Sequence, residues 1–259
     1  MKLSCLESSI RVSTLILCVT LAGCATISDR GNPQSDDPLE KLNRAVFDTN
    51  TELDDHFIRP LAESYRAIVP PFVRDRIRSV IDNLAEPRIF VNDLLQRRGN
   101  AAGITSARFF INTIVGLGGL FDLATAQGFP KQTGDFGQTL YTLGVDDGPY
   151  VVLLFFGPSN VRDAFGLGVD LFTTPPALVL HGHSASTTNF VVGTVDGIDL
   201  RSRNIETLDE IKASAIDYYA HLRSISRQYR QAQLHEAGGE KTDPQELIDP
   251  GSPAEEPPK

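Results

Sequence analysis

The sequence predicts an all-α body, and three observations predict it. Apolar residues recur at helical spacing, as in Val73, Ile77, Val80, Ile81 and Leu84. Proline and glycine fall between these runs, where helices start and stop. Apolar runs without helical periodicity are confined to Tyr150 to Phe156 and Ala177 to Leu180, too short to separate strand from helix by pattern alone.

The chain begins with Lys2 and Arg11, then an apolar run from Val12 to Leu21 broken by Ser13, Thr14 and Thr20. This is the composition of a secretory signal peptide, assigned to residues 1–23. Leu21-Ala22-Gly23-Cys24 resembles the lipobox of a bacterial lipoprotein. That resemblance implies cleavage before Cys24, diacylation of its thiol by palmitate-like chains and acylation of the new amine. The expected membrane state is anchored rather than spanning. Cys5 and Cys18 leave with the signal, so Cys24 is the one remaining thiol. No disulfide, cysteine-based zinc site or cysteine nucleophile is then available.

Residues 24–36 are polar, with Gly31 and Pro33, and read as a tether. The folded body is expected at 37–236. Asp37-Pro38 offers an N-cap and a first-turn proline, and Arg59-Pro60 is expected to stop that helix near Phe57. Pro70-Pro71 opens a second helix, expected to end at Glu86-Pro87. A short helix carrying Phe90, Val91, Leu94 and Leu95 follows, and another spans Ala101 to Val115 before Gly116 to Gly119. Leu208, Ile211, Ala215, Tyr218, Leu222, Ile225 and Tyr229 step by 3 and 4, predicting one long terminal helix packed through that stripe. Residues 237–259 hold five prolines and six acidic residues with little that is apolar, so an acidic disordered tail is expected.

The net charge is −9, and −10 once residues 1–23 are removed, which argues against a nucleic-acid partner. No cofactor motif is present: Gly166-x-Gly168 lacks a third glycine and a preceding strand. His181-Gly182-His183 has no third ligand nearby in sequence, so no metal site is assigned. One catalytic motif competes. Gly182-His183-Ser184-Ala185-Ser186 follows an apolar run, as a nucleophile elbow follows its strand, and Ser184 would make the protein a lipid-anchored lipase or esterase. Against it, Ser186 stands where the sharp turn favours glycine, and alternating strands and helices are missing.

Two segments are more apolar than a water-facing helix allows: Phe109 to Phe121 and Tyr150 to Phe156. Both are too short to span a bilayer, but an anchored protein can lay such segments within one leaflet. Leu153, Leu154, Phe155 and Phe156 are the candidate membrane-facing residues. Within the first segment, Asn112 is a lone amide that needs a partner or a wet path. Asn112 with Gly116, Gly118 and Gly119 forms the candidate channel and hinge.

Asp37 to about Pro176 resembles the MlaA (VacJ) family of outer-membrane phospholipid-transport lipoproteins. The residues carrying this are Asp37-Pro38-Leu39-Glu40-Lys41-Leu42-Asn43-Arg44 with Phe47 and Asn50, and Arg59-Pro60-Leu61-Ala62. Asn83-Leu84-x-Glu86-Pro87, Val91-Asn92, Arg108 to Asp122, Asp135 to Leu140, Gly148-Pro149-Tyr150 and Gly157 to Asp163 follow in family order. The resemblance implies a ring-like helical body embedded in the inner leaflet of the outer membrane, on its periplasmic side, with an amphipathic channel. It implies association with a trimeric porin, and removal of mislocalised outer-leaflet phospholipid to a soluble periplasmic carrier. It implies no covalent chemistry and no enzyme.

Overall fold

The structure is a computed structural model that describes residues 37–173 and 183–238, with side chains in the second stretch described from Thr187. Cys24, the tether, the Ala177 to Leu180 run and the tail from 239 lie outside the described residues. The elements below belong to the unit that begins at Leu39.

Ten helices and one hairpin make up the described part. They are α1 (Glu40–Leu53), α2 (Arg59–Ile68), α3 (Pro71–Leu95), α4 (Gly99–Phe110), α5 (Leu123–Ala126), α6 (Phe136–Thr142), the strands β1 (Tyr150–Leu153) and β2 (Gly157–Asn160), α7 (Val161–Phe172), α8 (His183–Arg203), α9 (Ile205–Ser214) and α10 (Tyr218–Gly238). The fold is therefore mostly helical. The all-α class is corrected by one antiparallel hairpin: the Tyr150 to Phe156 run, which the pattern left open between strand and helix, supplies β1 and the turn, with Tyr150 paired to Asn160 and Leu153 to Gly157 of β2.

Three expected breaks fall elsewhere. Pro60 does not stop α1. A π-turn at Asp54–Ile58 joins α1 to α2, and the Arg59 N–H donates to the Asp54 carbonyl five residues back. That wider turn absorbs the missing donor and the ring clash that a proline brings to an α-helix. Pro87 lies inside α3, so the expected short helix from Phe90 is the second half of the same element. An internal proline costs about 3 kcal/mol, and lateral bonds on both sides of it, described below, outweigh that. The terminal stripe is divided in the other sense. Ala215 is extended, and Asp217 caps α10 by accepting from the Ala220 N–H at 3.1 Å, so two helices replace one.

Burial is inverted. Among the described residues, twelve apolar side chains are buried, five of them alanine, against seventeen polar or charged ones. The largest fully buried side chains include Arg108, Gln138, Glu86 and Asn43. Meanwhile Phe57, Ile68, Phe72, Phe110, Leu117, Phe155, Phe165 and Phe172 are exposed. An ordinary water-soluble domain has the opposite distribution. The α3 stripe of Val73, Ile77, Val80, Ile81 and Leu84 has the expected period but is not buried; the buried face carries Asn83, Glu86, Ile89, Asn92, Asp93 and Gln96. One small apolar cluster remains, where Phe47 of α1 meets Tyr150, Val152 and Tyr219, with Tyr218 and Leu222 of the terminal stripe beside it. Phe47 meets the Tyr218 and Tyr219 rings edge-on at 5.1 and 5.4 Å.

The α10 helix is fastened by Arg230. Its guanidinium bonds both oxygens of Asp135, at 2.7 and 2.9 Å, and both of Asp163, at 2.9 and 2.8 Å. Asp135 and Asp163 lie at the starts of α6 and α7, so one side chain ties three helices. Burial pushes the Asp163 carboxyl up, but Arg230 and Arg162 outweigh it and hold it below the usual aspartate range. A carboxyl depressed on folding contributes stability above its unfolded pKa, about 3.9, and loses it as pH falls through the folded value. Arg230→Met should cost about 1–3 kcal/mol at pH 7, because it leaves Asp135 without its cation and Asp163 with Arg162 alone. Melting of the unaltered chain should fall as pH drops below about 4. The Arg230→Met variant should show a flatter curve; equal slopes by circular dichroism would show that Arg230 does not govern this titration.

Candidate functional site

The polar interior is built on two antiparallel helices. Thr105 donates to Asp93 at 2.8 Å, Arg108 Nε to Glu86 at 2.7 Å, and the Asn83 amide to the Thr113 hydroxyl at 3.0 Å. These rungs join α3 to α4 and to the π-turn Ile111–Val115 that continues it. Arg108 and Glu86 are each 1% exposed. Arg108 also donates to the Thr125 hydroxyl at 2.9 Å, the Phe129 carbonyl at 2.8 Å and Asp122 at 3.3 Å. Asp122 caps α5 by accepting from the Thr125 N–H at 3.1 Å. Burial pushes its carboxyl up, but the Thr125, Asn112 and Arg108 interactions prevail and hold it low.

Asn112 is buried in this network. Its amide donates to Asp122 at 3.1 Å and its carbonyl accepts from the Ala124 N–H at 3.0 Å. The amide that looked isolated in sequence is thus paired across the loop. The glycines that follow form a hydrogen-bonded return: Gly118 N–H to Thr113, Gly119 N–H to Asn112 and Phe121 N–H to Gly116, all to carbonyls at 2.8–3.0 Å. Leu117, Gly118 and Gly119 all have positive φ, of 56°, 72° and 90°. Leucine rarely adopts this conformation, yet Leu117 does so with its side chain 67% exposed.

A second interior layer continues along α3. Thr139 of α6 donates to Asn92 at 2.8 Å and accepts from Gln96 at 3.0 Å. Arg88 pairs with Asp170 of α7 at 2.9 Å, and Asp170 also accepts from the Phe136 N–H at 3.0 Å. Burial pushes the Asp170 carboxyl up, with Arg88 opposing. Gly137 and Gly166 let α6 and α7 touch backbone to backbone, since a Cβ at Gly166 would overlap Gly137.

The hairpin is held from α1 by a device the sequence does not announce. The Asn43 amide donates to the Tyr150 carbonyl at 3.0 Å, and its oxygen accepts from the Val152 N–H at 2.9 Å. One heptad on, Asn50 donates to the Leu153 carbonyl at 2.9 Å and accepts from the Phe155 N–H at 3.0 Å. Two amides thus stand in for a neighbouring strand. They present Leu154, Phe155 and Phe156, all exposed, on a turn where Phe155 has φ of 68°; Leu153 is half-buried.

Ser184 lies in the first turn of α8, and its side chain is outside the description. The strand that an elbow would need lies outside the described residues. Among the described residues no group of three or more His, Cys, Asp or Glu could hold a metal ion. No helix described is long and apolar enough to cross a membrane.

Fold and site define a class: a mostly helical protein whose interior is polar and hydrogen-bonded and whose surface exposes many large apolar side chains. The comparisons specify it. A family model described as MlaA lipoprotein matches residues 35–233, and the chain belongs to that family. It is 35% identical over 244 residues to the Escherichia coli intermembrane phospholipid transport system lipoprotein MlaA, covering 92% of each chain. The Haemophilus influenzae protein of the same name is 29% identical, covering 87% of this chain and 90% of that one. An uncharacterized Rickettsia bellii protein is 34% identical over 76% of each. A solved structure described as the structural basis for maintenance of bacterial outer membrane lipid asymmetry superposes with a TM-score of 0.66 at 33% identity, covering 78% of this chain and 98% of that one.

Two predictions follow from the loop and the hairpin. A Cβ at Gly119 would lie 2.5 Å from Asn83 Cβ, whereas Gly118 faces open space. Gly119→Ala should therefore lower the melting temperature severely, and Gly118→Ala only by the left-handed strain of about 1–2 kcal/mol. Similar melting of the two would contradict the packing against Asn83. Asn50→Leu removes both hydrogen bonds at the hairpin tip at a cost of about 1–3 kcal/mol. Hydrogen exchange at the Phe155 amide should accelerate while exchange in α4 is unchanged; a protected Phe155 amide would refute the clamp.

Proposed function

We propose that this chain is an outer-membrane lipoprotein that moves phospholipid between membranes. Acyl chains on Cys24, after loss of residues 1–23, hold it to the bilayer through the 24–36 tether. The 37–236 body sits ring-like in the periplasmic leaflet around an amphipathic channel. Mislocalised phospholipid enters from the outer leaflet, beside a trimeric porin, and leaves to a soluble periplasmic carrier, which preserves lipid asymmetry. Neither a cofactor nor a catalytic residue takes part, and the Ser184 hydrolase reading receives no support.

The observation that carries this reading is the inverted burial. Apolar side chains on the outside are favourable only where the surroundings are apolar. In hydrocarbon every backbone polar group must be satisfied internally, which helices achieve. A polar interior gives a headgroup somewhere to go while its tails remain outside. Leu153 to Phe156 supply the bilayer contact. Asn112 and the Gly116 to Gly119 return border the path, and at Gly118 an added side chain would meet open space.

The test uses the full chain extracted in mild detergent. Intact phospholipid should co-purify with it and be identified by mass spectrometry; released fatty acid or lysolipid would instead revive hydrolysis by Ser184. Phe155→Asp in a non-acylated form should reduce flotation with liposomes while circular dichroism stays unchanged. Unfolding of that variant, or undiminished flotation, would remove the hairpin from the membrane contact.

A further inference from the structure

Among the described residues, Arg76 of α3 has no carboxylate paired with it. Its guanidinium carbon lies 5.1 Å from the Phe72 ring centre and 4.9 Å from that of Phe121. Its Nε is buried and has no hydrogen-bond partner, and Arg76 makes no ion pair among the described residues. The contrast with Arg108 is sharp, since that guanidinium meets two carboxylates, a hydroxyl and a carbonyl. Neighbours on the chain deepen the problem. Ile68, Phe72 and Val73 are exposed on one side, and Leu117 and Leu120 on the loop that carries Phe121.

Aromatic faces attract a guanidinium but leave its charge uncompensated. A bare arginine on an apolar surface is costly unless an anion joins it. The planar fork matches a phosphate through two parallel hydrogen bonds, and the two rings hold the guanidinium at this spot. We propose that Arg76, held beside the Phe72 and Phe121 rings, binds a phosphate oxyanion. This rests on the phospholipid reading above, under which the source is a lipid phosphodiester; the same chemistry would accept free phosphate. The position beside Phe121 places this contact at the Gly116 to Asp122 return, so a headgroup would be met at the loop that borders the proposed path.

The test is equilibrium dialysis of the full chain in an uncharged maltoside detergent. The probes are dihexanoylphosphatidylglycerol, dihexanoylglycerol without phosphate, and inorganic phosphate. Arg76→Gln should weaken the phosphatidylglycerol about tenfold, the worth of a charged hydrogen bond, and leave dihexanoylglycerol unchanged. Arg76→Lys should weaken it less, because charge remains while the fork is lost. Competition by inorganic phosphate would support the oxyanion site with free phosphate as its source, and absence of competition would support the lipid. Unchanged binding of both phosphate probes to folded Arg76→Gln would overturn the proposal. Should that variant fail to fold, Phe121→Leu takes its place, with weakened phosphatidylglycerol binding expected and unchanged binding fatal. Absence of co-purified phospholipid from the unaltered chain would count against transport, separately from these binding constants.

Discussion

A charge withdrawn from water must take its counter-charge with it, and Arg108 imposes that condition on the chain around it. With Arg108 and Glu86 2.7 Å apart and both buried, removing either would strand the other. The condition sets the register of α3 against α4. It also dictates where the chain must go next, because Asp122, Thr125 and Phe129 have to reach the same guanidinium from beyond the turn. The return between Val115 and Asp122 is consequently short and tightly bonded, with three successive residues of positive φ. Backbone strain of this kind persists where the surroundings over-determine it, and here the buried ion pair with its attendant amides does so.

The helical period was legible in the sequence, and the direction each helix faces was not. Val73, Ile77, Val80, Ile81 and Leu84 repeat at the spacing of a buried stripe, and so do Asn83, Glu86, Asp93 and Gln96. Only a solvent decides which stripe turns inward, and the usual reading assumes that the solvent is water. The prolines failed as stops for a related reason. Pro60 and Pro87 weaken a helix locally, but what restores it is remote in sequence or lies in a neighbouring turn. Arg108, which bonds beside Pro87, is contributed by another helix. Asn43 and Asn50 were visible among the residues shared with the family. Their work as a substitute strand was not, because the backbone they hold is more than 100 residues away. Asn112 read as an amide needing either a partner or a wet path, and the structure gives it hydrogen bonds to the cap and first residues of the next helix, which the local pattern does not contain.

The loop after α4 and the β-hairpin solve one problem in the same way. Each places a bulky apolar residue, Leu117 or Phe155, in the left-handed backbone region with its side chain outward. Each is braced by asparagine: Asn112 bonds Asp122 and Ala124 beyond the loop and Asn83 packs under Gly119, while Asn50 bonds the hairpin turn. Turn geometry alone would favour glycine or asparagine at those two positions, since both tolerate positive φ at little cost. Leucine and phenylalanine add strain there, and in water their exposure brings no return. The strain is offset only where the outward side chain finds an apolar partner. The same surroundings that make sense of the polar interior therefore make sense of the two strained tips. The bilayer seat proposed above would account for both with a single assumption about the medium, whereas a water-facing surface would need a separate reason for each.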